Sequence, residues 1–149
     1  MRAVIQRVDN ASVSVDDKQI ASIQKGLLIL VGIHADDTPA DREKIISKLL
    51  KLRLFPDGNK EFDKSVVDTN NQLLLVSQFT LFADCHKGNR PSFSDAMPPK
   101  QAVEFYETFV SECISAYPKT ESGQFGALMK ISLVNNGPIT IILDSREHL

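Results

Sequence analysis

The chain has few cysteines: Cys85 and Cys113 are the two in 149 residues. Two are too few for a disulfide framework. No secretory leader opens at Met1-Arg2-Ala3, so the expected setting is a reducing cytoplasm. Long hydrophobic runs are missing as well. The longest, Leu27 to Ile33, falls far short of the ~20 residues that cross a bilayer, and no membrane partner is expected. Neither sign of charge dominates. With 17 Lys and Arg against 19 Asp and Glu, bulk attraction to nucleic acid is excluded, while a local basic patch is not. Internal repeats, low-complexity tracts and linkers are lacking. The reading is one domain over residues 1–149, long enough to bury roughly 70% of its unfolded surface without staples.

The familiar catalytic signatures are also absent. There is no Gly-x-Ser-x-Gly elbow, phosphate loop or dinucleotide fingerprint. The histidines are His34, His86 and His148, and no motif ties any of them to the candidate nucleophiles Ser77 and Thr80. Cys85-His86 is a candidate thiol–imidazole pair, but neighbours on an extended strand point to opposite faces. Asp84, Cys85, His86 and His34 carry metal-ligating atoms without metal-site spacing. No metal and no cofactor is expected.

What the chain does have is clear periodicity. Ala11-Ser12-Val13-Ser14-Val15 alternates as a half-buried strand does, with Ala3 to Val8 as its predecessor. Asp16 to Gln19 reads as a polar turn and Ile20 to Ile23 as a short return strand. Leu27 to Ile33 reads as a central strand covered on both faces. A helix is signposted by Thr38 as cap, Pro39 in the first turn and Asp41 at the positive end of the dipole. Ile45, Ile46, Leu49, Leu50 and Leu52 form its apolar stripe, with Lys44, Lys48 and Lys51 opposite. It should stop before Pro56, and Pro56-Asp57-Gly58 reads as a turn. A second helix follows Pro98-Pro99 and ends at Pro118. Its stripe is Ala102, Phe105, Tyr106, Phe109, Val110, Cys113, Ile114 and Tyr117. A core-facing helix explains that stripe better than a base-stacking platform, and Cys113 within it reads as a small buried hydrophobe.

Two stretches stand out. Leu73-Leu74-Leu75-Val76-Ser77-Gln78-Phe79-Thr80-Leu81 begins as a buried strand and ends in polar side chains. Those groups need partners, either in a turn or in a ligand at the strand end. Later, Phe125, Ala127, Met129, Ile131 and Leu133 alternate on one face of a strand that Asn135-Asn136-Gly137-Pro138 interrupts, and Ile139 to Leu143 resumes. Asn-Gly suggests a hairpin. Pro138 removes a donor where the returning strand should pair, so the loop looks shaped for a purpose.

Ser77-Gln78-Phe79-Thr80-Leu81 and Asn135-Asn136-Gly137-Pro138-Ile139-Thr140 resemble the two signature motifs of the D-aminoacyl-tRNA deacylases. Met1-Arg2-Ala3-Val4-Ile5-Gln6-Arg7-Val8, Gly88-Asn89-Arg90-Pro91-Ser92-Phe93 and Phe125-Gly126-Ala127 resemble the same family. The likeness runs in order over nearly the whole length. It implies an α/β fold of layered, mostly antiparallel sheets with two amphipathic helices. It also implies a cytoplasmic homodimer that hydrolyses the ester of D-aminoacyl-tRNA, and of glycine mischarged on alanine tRNA. On this resemblance Ser77, Gln78, Phe79 and Thr80 form the catalytic pocket. A cis Gly137-Pro138 reaches into the partner's pocket, where its carbonyls hold the substrate amino group and exclude an L side chain. Arg7 steadies that loop, and Phe125 and Met129 line the terminal adenine pocket. Leu128 departs from the family pattern, which favours a polar or acidic residue there.

The chemistry fits such residues. An aminoacyl ester is already activated, and N–H groups near Phe79 and Thr80 suffice to stabilise an oxyanion. With no base to activate Thr80, assistance by the ribose 2′-OH is favoured over a threonine nucleophile. Two other classes remain at this point: a non-catalytic tRNA-binding module, and a cysteine hydrolase using Cys85 and His86.

Overall fold

A computed structural model describes residues 1–147. The elements in chain order are β1 (Arg2–Val15), β2 (Lys18–Ile23), β3 (Gly26–Gly32), α1 (Pro39–Lys51), β4 (Arg53–Asp57), β5 (Lys60–Ser65), β6 (Gln72–Ser77), a 3-10 turn (Phe79–Phe82), α2 (Pro99–Ala116), β7 (Thr120–Ser122) and β8 (Met129–Asp144). The sheet runs β2-β1-β3-β6-β7, with β8 on the other edge of β1, and β4-β5 form a separate hairpin. Pairings are antiparallel except β3 with β6 and β6 with β7. The expected α/β architecture of mostly antiparallel sheet with two helices is what the chain adopts.

β1 is one strand of 14 residues, where the sequence suggested two in succession. One of its edges is shared by β3, along Arg2 to Val8, and by β2, along Ala11 to Val15. Asp16 and Asp17 both have positive φ, 48° and 60°, the geometry of a tight primed hairpin turn. Lys18 and Gln19, expected in the turn, already belong to β2.

The solid apolar runs behave as runs buried on both faces should. Leu27, Ile29 and Val31 of β3 and Leu73 and Leu75 of β6 join the larger core, with Ile45 and Leu49 of α1 and Tyr106 and Phe109 of α2. Leu28, Leu74 and Val76 face the opposite way, into a second core with Val8, Ala11, Val13, Ala21 and Ile23. The sheet is therefore sandwiched between the helices and its own curled extension.

α1 starts as expected. The Thr38 backbone N–H and Oγ1 both donate to Asp41 Oδ2, at 2.8 and 2.7 Å. It stops before Pro56 as expected, at Lys51, and Leu52, expected in its apolar stripe, is already extended. Pro56 and Asp57 lie in β4 rather than in a turn, and the reversal falls on Gly58, at φ 55°. On α2, Ala102, Tyr106, Phe109 and Cys113 are buried, whereas Ile114, placed in the same stripe by periodicity, is 42% exposed. Burial pushes the Cys113 thiol up to about 12, so it is a packed hydrophobe and not a thiolate.

The largest correction concerns the last strand. Phe125 and Ala127 precede β8 instead of alternating within it, and Asn135 to Pro138 form no hairpin. Both halves of β8 pair antiparallel with the same strand, β1, from Val15↔Met129 to Arg2↔Asp144. A hairpin reverses the chain; here the chain continues in its original direction. Between the pairs Val8↔Asn135 and Gln6↔Thr140, one residue of β1, Arg7, faces four of β8, Asn136 to Ile139. The surplus is extruded as an expanded bulge opposite Arg7.

Candidate active site

Val31 pairs with Ser77 at the end of β6, where the strand leaves both cores. The Gln78 N–H donates to the Val31 carbonyl at 2.7 Å, and the chain then tightens into the 3-10 turn. Gln78 Nε2 donates to Thr80 Oγ1 at 2.5 Å. The first N–H groups of such a turn have no partner within it. Those of Phe79 and Thr80 donate to no other backbone group among the described residues, which leaves them free for a developing oxyanion. Gly32 makes room for the turn: a Cβ there would sit 3.1 Å from the Gln78 carbonyl oxygen and 3.0 Å from Leu81 Cβ.

Ser77, Gln78 and Phe79 open onto a cavity of about 380 Å³, shared with Phe93, Met97 and Phe125. Phe79, 57% exposed, stands edge-on to Phe93 with ring centres 4.9 Å apart. The wall that carries Met97 is tied to the end of β3, since the Met97 N–H donates to the Ile33 carbonyl at 2.9 Å. Tyr106 of α2 sits behind the site, 5.6 Å from the Phe125 ring. Burial pushes its hydroxyl pKa up. The hydroxyl lies by the Ser77 main chain without completing a hydrogen bond. Gly32, Met97 and Tyr106 were not singled out as site residues by sequence; each is recognisable only from what it packs against. Met129 is not in the cavity wall. It packs on the second core, beside Gly123. Leu128 is 90% exposed.

A second locus gathers around Arg7, which is 6% exposed. Its guanidinium donates to Leu54 O at 2.8 Å, Asn136 O at 3.2 Å, Asn136 Oδ1 at 3.1 Å and Glu61 Oε1 at 2.6 Å. Asn136 Nδ2 in turn donates to Asp9 Oδ1 at 2.8 Å. Asn135 closes the base of the bulge: its Oδ1 accepts from the Ile139 N–H at 2.8 Å and its Nδ2 donates to Ile139 O at 3.2 Å. The Gly137-Pro138 peptide is cis, and Gly137 has φ 135°. A Cβ at Gly137 would fall 2.6 Å from Ile139 Cγ1 and 2.9 Å from the Ile139 nitrogen. Gly137 and Pro138 are exposed, and neither lines the Ser77–Phe79 cavity of its own chain. The structure thus brings Ser77, Gln78, Phe79 and Phe125 together, and brings Arg7 to the Gly137-Pro138 loop. It does not merge the two groups within one chain.

Among the described residues no base serves Thr80. The His34 ring packs edge-on against Phe82, and its Nδ1 accepts from the Asp36 N–H at 3.1 Å. His86 Nδ1 lies 2.6 Å from Asp84 Oδ1. Hydrogen bonds from the His86 backbone and ring hold the Asp84 carboxyl below its usual range. Cys85 is exposed and makes no hydrogen bond to His86 among the described residues. His148 lies outside the described residues. Among those residues no group of three or more His, Cys, Asp or Glu side chains converges as a metal site, and no helix is long and apolar enough to cross a membrane. The site offers main-chain donors and an apolar pocket, with no general base among the described residues.

Comparison with known proteins gives a consistent result. The family described as D-Tyr-tRNA(Tyr) deacylase matches residues 4–144. A D-aminoacyl-tRNA deacylase of Thermosipho africanus is 49% identical over 147 residues, 99% of each chain. One of Aquifex aeolicus is likewise 49% identical over 147 residues, again 99% of each. Among solved structures, the c-Myc DNA Unwinding Element Binding Protein superposes with a TM-score of 0.92 at 42% identity, over 97% of this chain and 98% of that one. A probable eukaryotic D-amino acid tRNA deacylase shares the fold, with a TM-score of 0.84 at 18% identity, over 95% and 97%.

Proposed function

The chain belongs to the D-aminoacyl-tRNA deacylase family, hydrolases of the ester between a D-amino acid and tRNA, and we propose that it selects chirality with a loop borrowed from a second copy. The supporting observation is the separation just described. The Gly137-Pro138 loop is braced by Arg7 yet lines no part of its own chain's pocket. β8 supports the pairing. Its far edge has no partner strand among the described residues, and Val134 and Ile142 are 51% and 67% exposed on it. Bare apolar edges of this length are normally covered.

In this reading the ester carbonyl points at the Phe79 and Thr80 N–H groups, and Ser77 and Gln78 line its approach. The terminal adenine packs against Phe125, with Met129 behind the Gly123 turn. Water attacks with help from the ribose 2′-OH. The partner's Gly137 and Pro138 carbonyls hold the substrate ammonium and occupy the space that an L side chain needs. Exclusion by rigid backbone discriminates better than added apolar contact. Glycine on tRNA has no side chain to exclude, so it too is a substrate. The setting is cytoplasmic.

Matched D- and L-aminoacyl-tRNA test the selection; equal rates would overturn it. A mixed dimer tests the exchange, pairing one subunit carrying Gly137→Ala with one whose Ser77–Thr80 pocket is destroyed. In trans, both lesions fall on one site and about half the activity survives. In cis, both sites are damaged and activity disappears.

A further inference from the structure

A second groove of about 430 Å³ adjoins the catalytic cavity. Phe125 lines both, so its ring is a shared wall. The groove runs between the exposed side of α2 and the segment after β7. Val110 and Ile114 form an apolar floor, and Glu107, Ser111, Ser122 and Gln124 stand around it. None of these four polar side chains has a hydrogen-bond or ion-pair partner among the described residues. Ile114 is the stripe residue that the core leaves exposed. An apolar floor ringed by convergent free polar groups is the composition of a small-ligand site.

We propose that this groove takes the penultimate base of the tRNA 3′ end, a cytosine, as the terminal adenosine enters the neighbouring cavity. The proposal rests on the deacylase reading and extends it by one nucleotide. Successive bases of a single strand separated by one aromatic ring occupy adjoining pockets of this kind. The groove holds a carboxylate, Glu107, and no Lys or Arg. That composition disfavours phosphate and favours a base edge that donates. The cytosine 4-amino group is such a donor, and Glu is its usual acceptor. Uracil presents a carbonyl at the same place and would meet the carboxylate oxygen to oxygen. The phosphodiester stays outside, in solvent.

The test compares D-tyrosyl-tRNA ending in C-C-A with the same tRNA ending in C-U-A, alongside D-tyrosyl-adenosine, which has no penultimate base. The unmodified protein should show kcat/KM roughly tenfold higher for C-C-A, the scale of one base-edge hydrogen bond. Glu107→Gln, whose amide both donates and accepts, should bring that ratio close to one. The same variant should leave hydrolysis of D-tyrosyl-adenosine unchanged. Glu107 is exposed on α2 without partners, so the substitution leaves folding intact. Equal rates on C-C-A and C-U-A, or a preference that survives in Glu107→Gln, overturn the inference while the deacylase reading stands. No hydrolysis of any of the three substrates overturns both.

Discussion

Arg7 and Asn136 are joined twice: the guanidinium donates to the Asn136 carbonyl at 3.2 Å and to its side-chain oxygen at 3.1 Å. Arg7 lies on β1 opposite the gap in register with β8. It fills that gap with a charged fork and holds the extruded loop by its first residue. The same fork reaches Leu54 at the start of the β4–β5 hairpin and Glu61 within it. Loop and hairpin are therefore held by one side chain.

Arg7→Lys is expected to loosen both. Lysine keeps the charge but lacks the planar fork, so several of the four acceptors lose their donor. Replacement by Met should cost about 1–3 kcal/mol of stability, because the buried Leu54 carbonyl is left unpaired. Denaturant midpoints measure this, and the D-to-L rate ratio should fall in Arg7→Lys. An unchanged ratio would show that the loop does not depend on Arg7.

Gly137→Ala should lower D-aminoacyl-tRNA hydrolysis by about a hundredfold or more. At φ 135° a Cβ is strained and would meet Ile139 at 2.6 Å, so the carbonyl must turn. The loop is exposed, so the folded protein should persist. Kinetics with circular dichroism separate loss of activity from loss of fold, and a fully active Gly137→Ala would remove the loop from the mechanism.

Thr80→Ala should keep activity within about tenfold. Its hydroxyl has Gln78 as partner and no base nearby, while the turn's N–H groups survive the change. A loss of about a thousandfold with the fold intact would make the hydroxyl a participant in the chemistry.

Affinity for tRNA should be salt-sensitive through a local patch. Lys87 and Arg90 sit exposed on the segment leading to Phe93 of the cavity wall. Removing both should reduce the slope of log K against log salt by about one to two. Lys48 and Lys51 of α1, the other candidates, contribute no residue to that wall, and their removal should change the slope less.

Stability should decline in acid through Asp41. Burial alone would raise its carboxyl pKa, but hydrogen bonds from Ser145 and Thr38 outweigh it and bring the value from 3.8 down to about 2. A depressed carboxylate contributes stability above its unfolded pKa and loses it as pH falls through the folded one. The contribution is complete above about pH 4 and gone below about pH 2, about 1 kcal/mol after solvent screening. Asp41→Asn should flatten the denaturation curve over that window.

Local signals carried both helices and both two-faced strands. Ile45, Ile46 and Leu49 at helical spacing, and the unbroken runs in β3 and β6, need only their own periodicity to be read. The end of β6 at Ser77 was legible for the same reason, since a strand turning polar is visible in one dimension. The path of β8 was not. Asn135-Asn136-Gly137 has the local chemistry of a hairpin, and what overrode it was pairing with β1, over a hundred residues away in sequence. The β4–β5 hairpin was hidden because its charged, exposed faces carry little alternation. The cavity was hidden as well, because Phe93 and Met97 come from the loop before α2 and Phe125 from the one before β8, with no shared spacing. Short-range preference is written into neighbouring residues, but a cavity wall or a bulge register is fixed by contacts between distant ones. Those contacts exist only once the sheet has closed around its core.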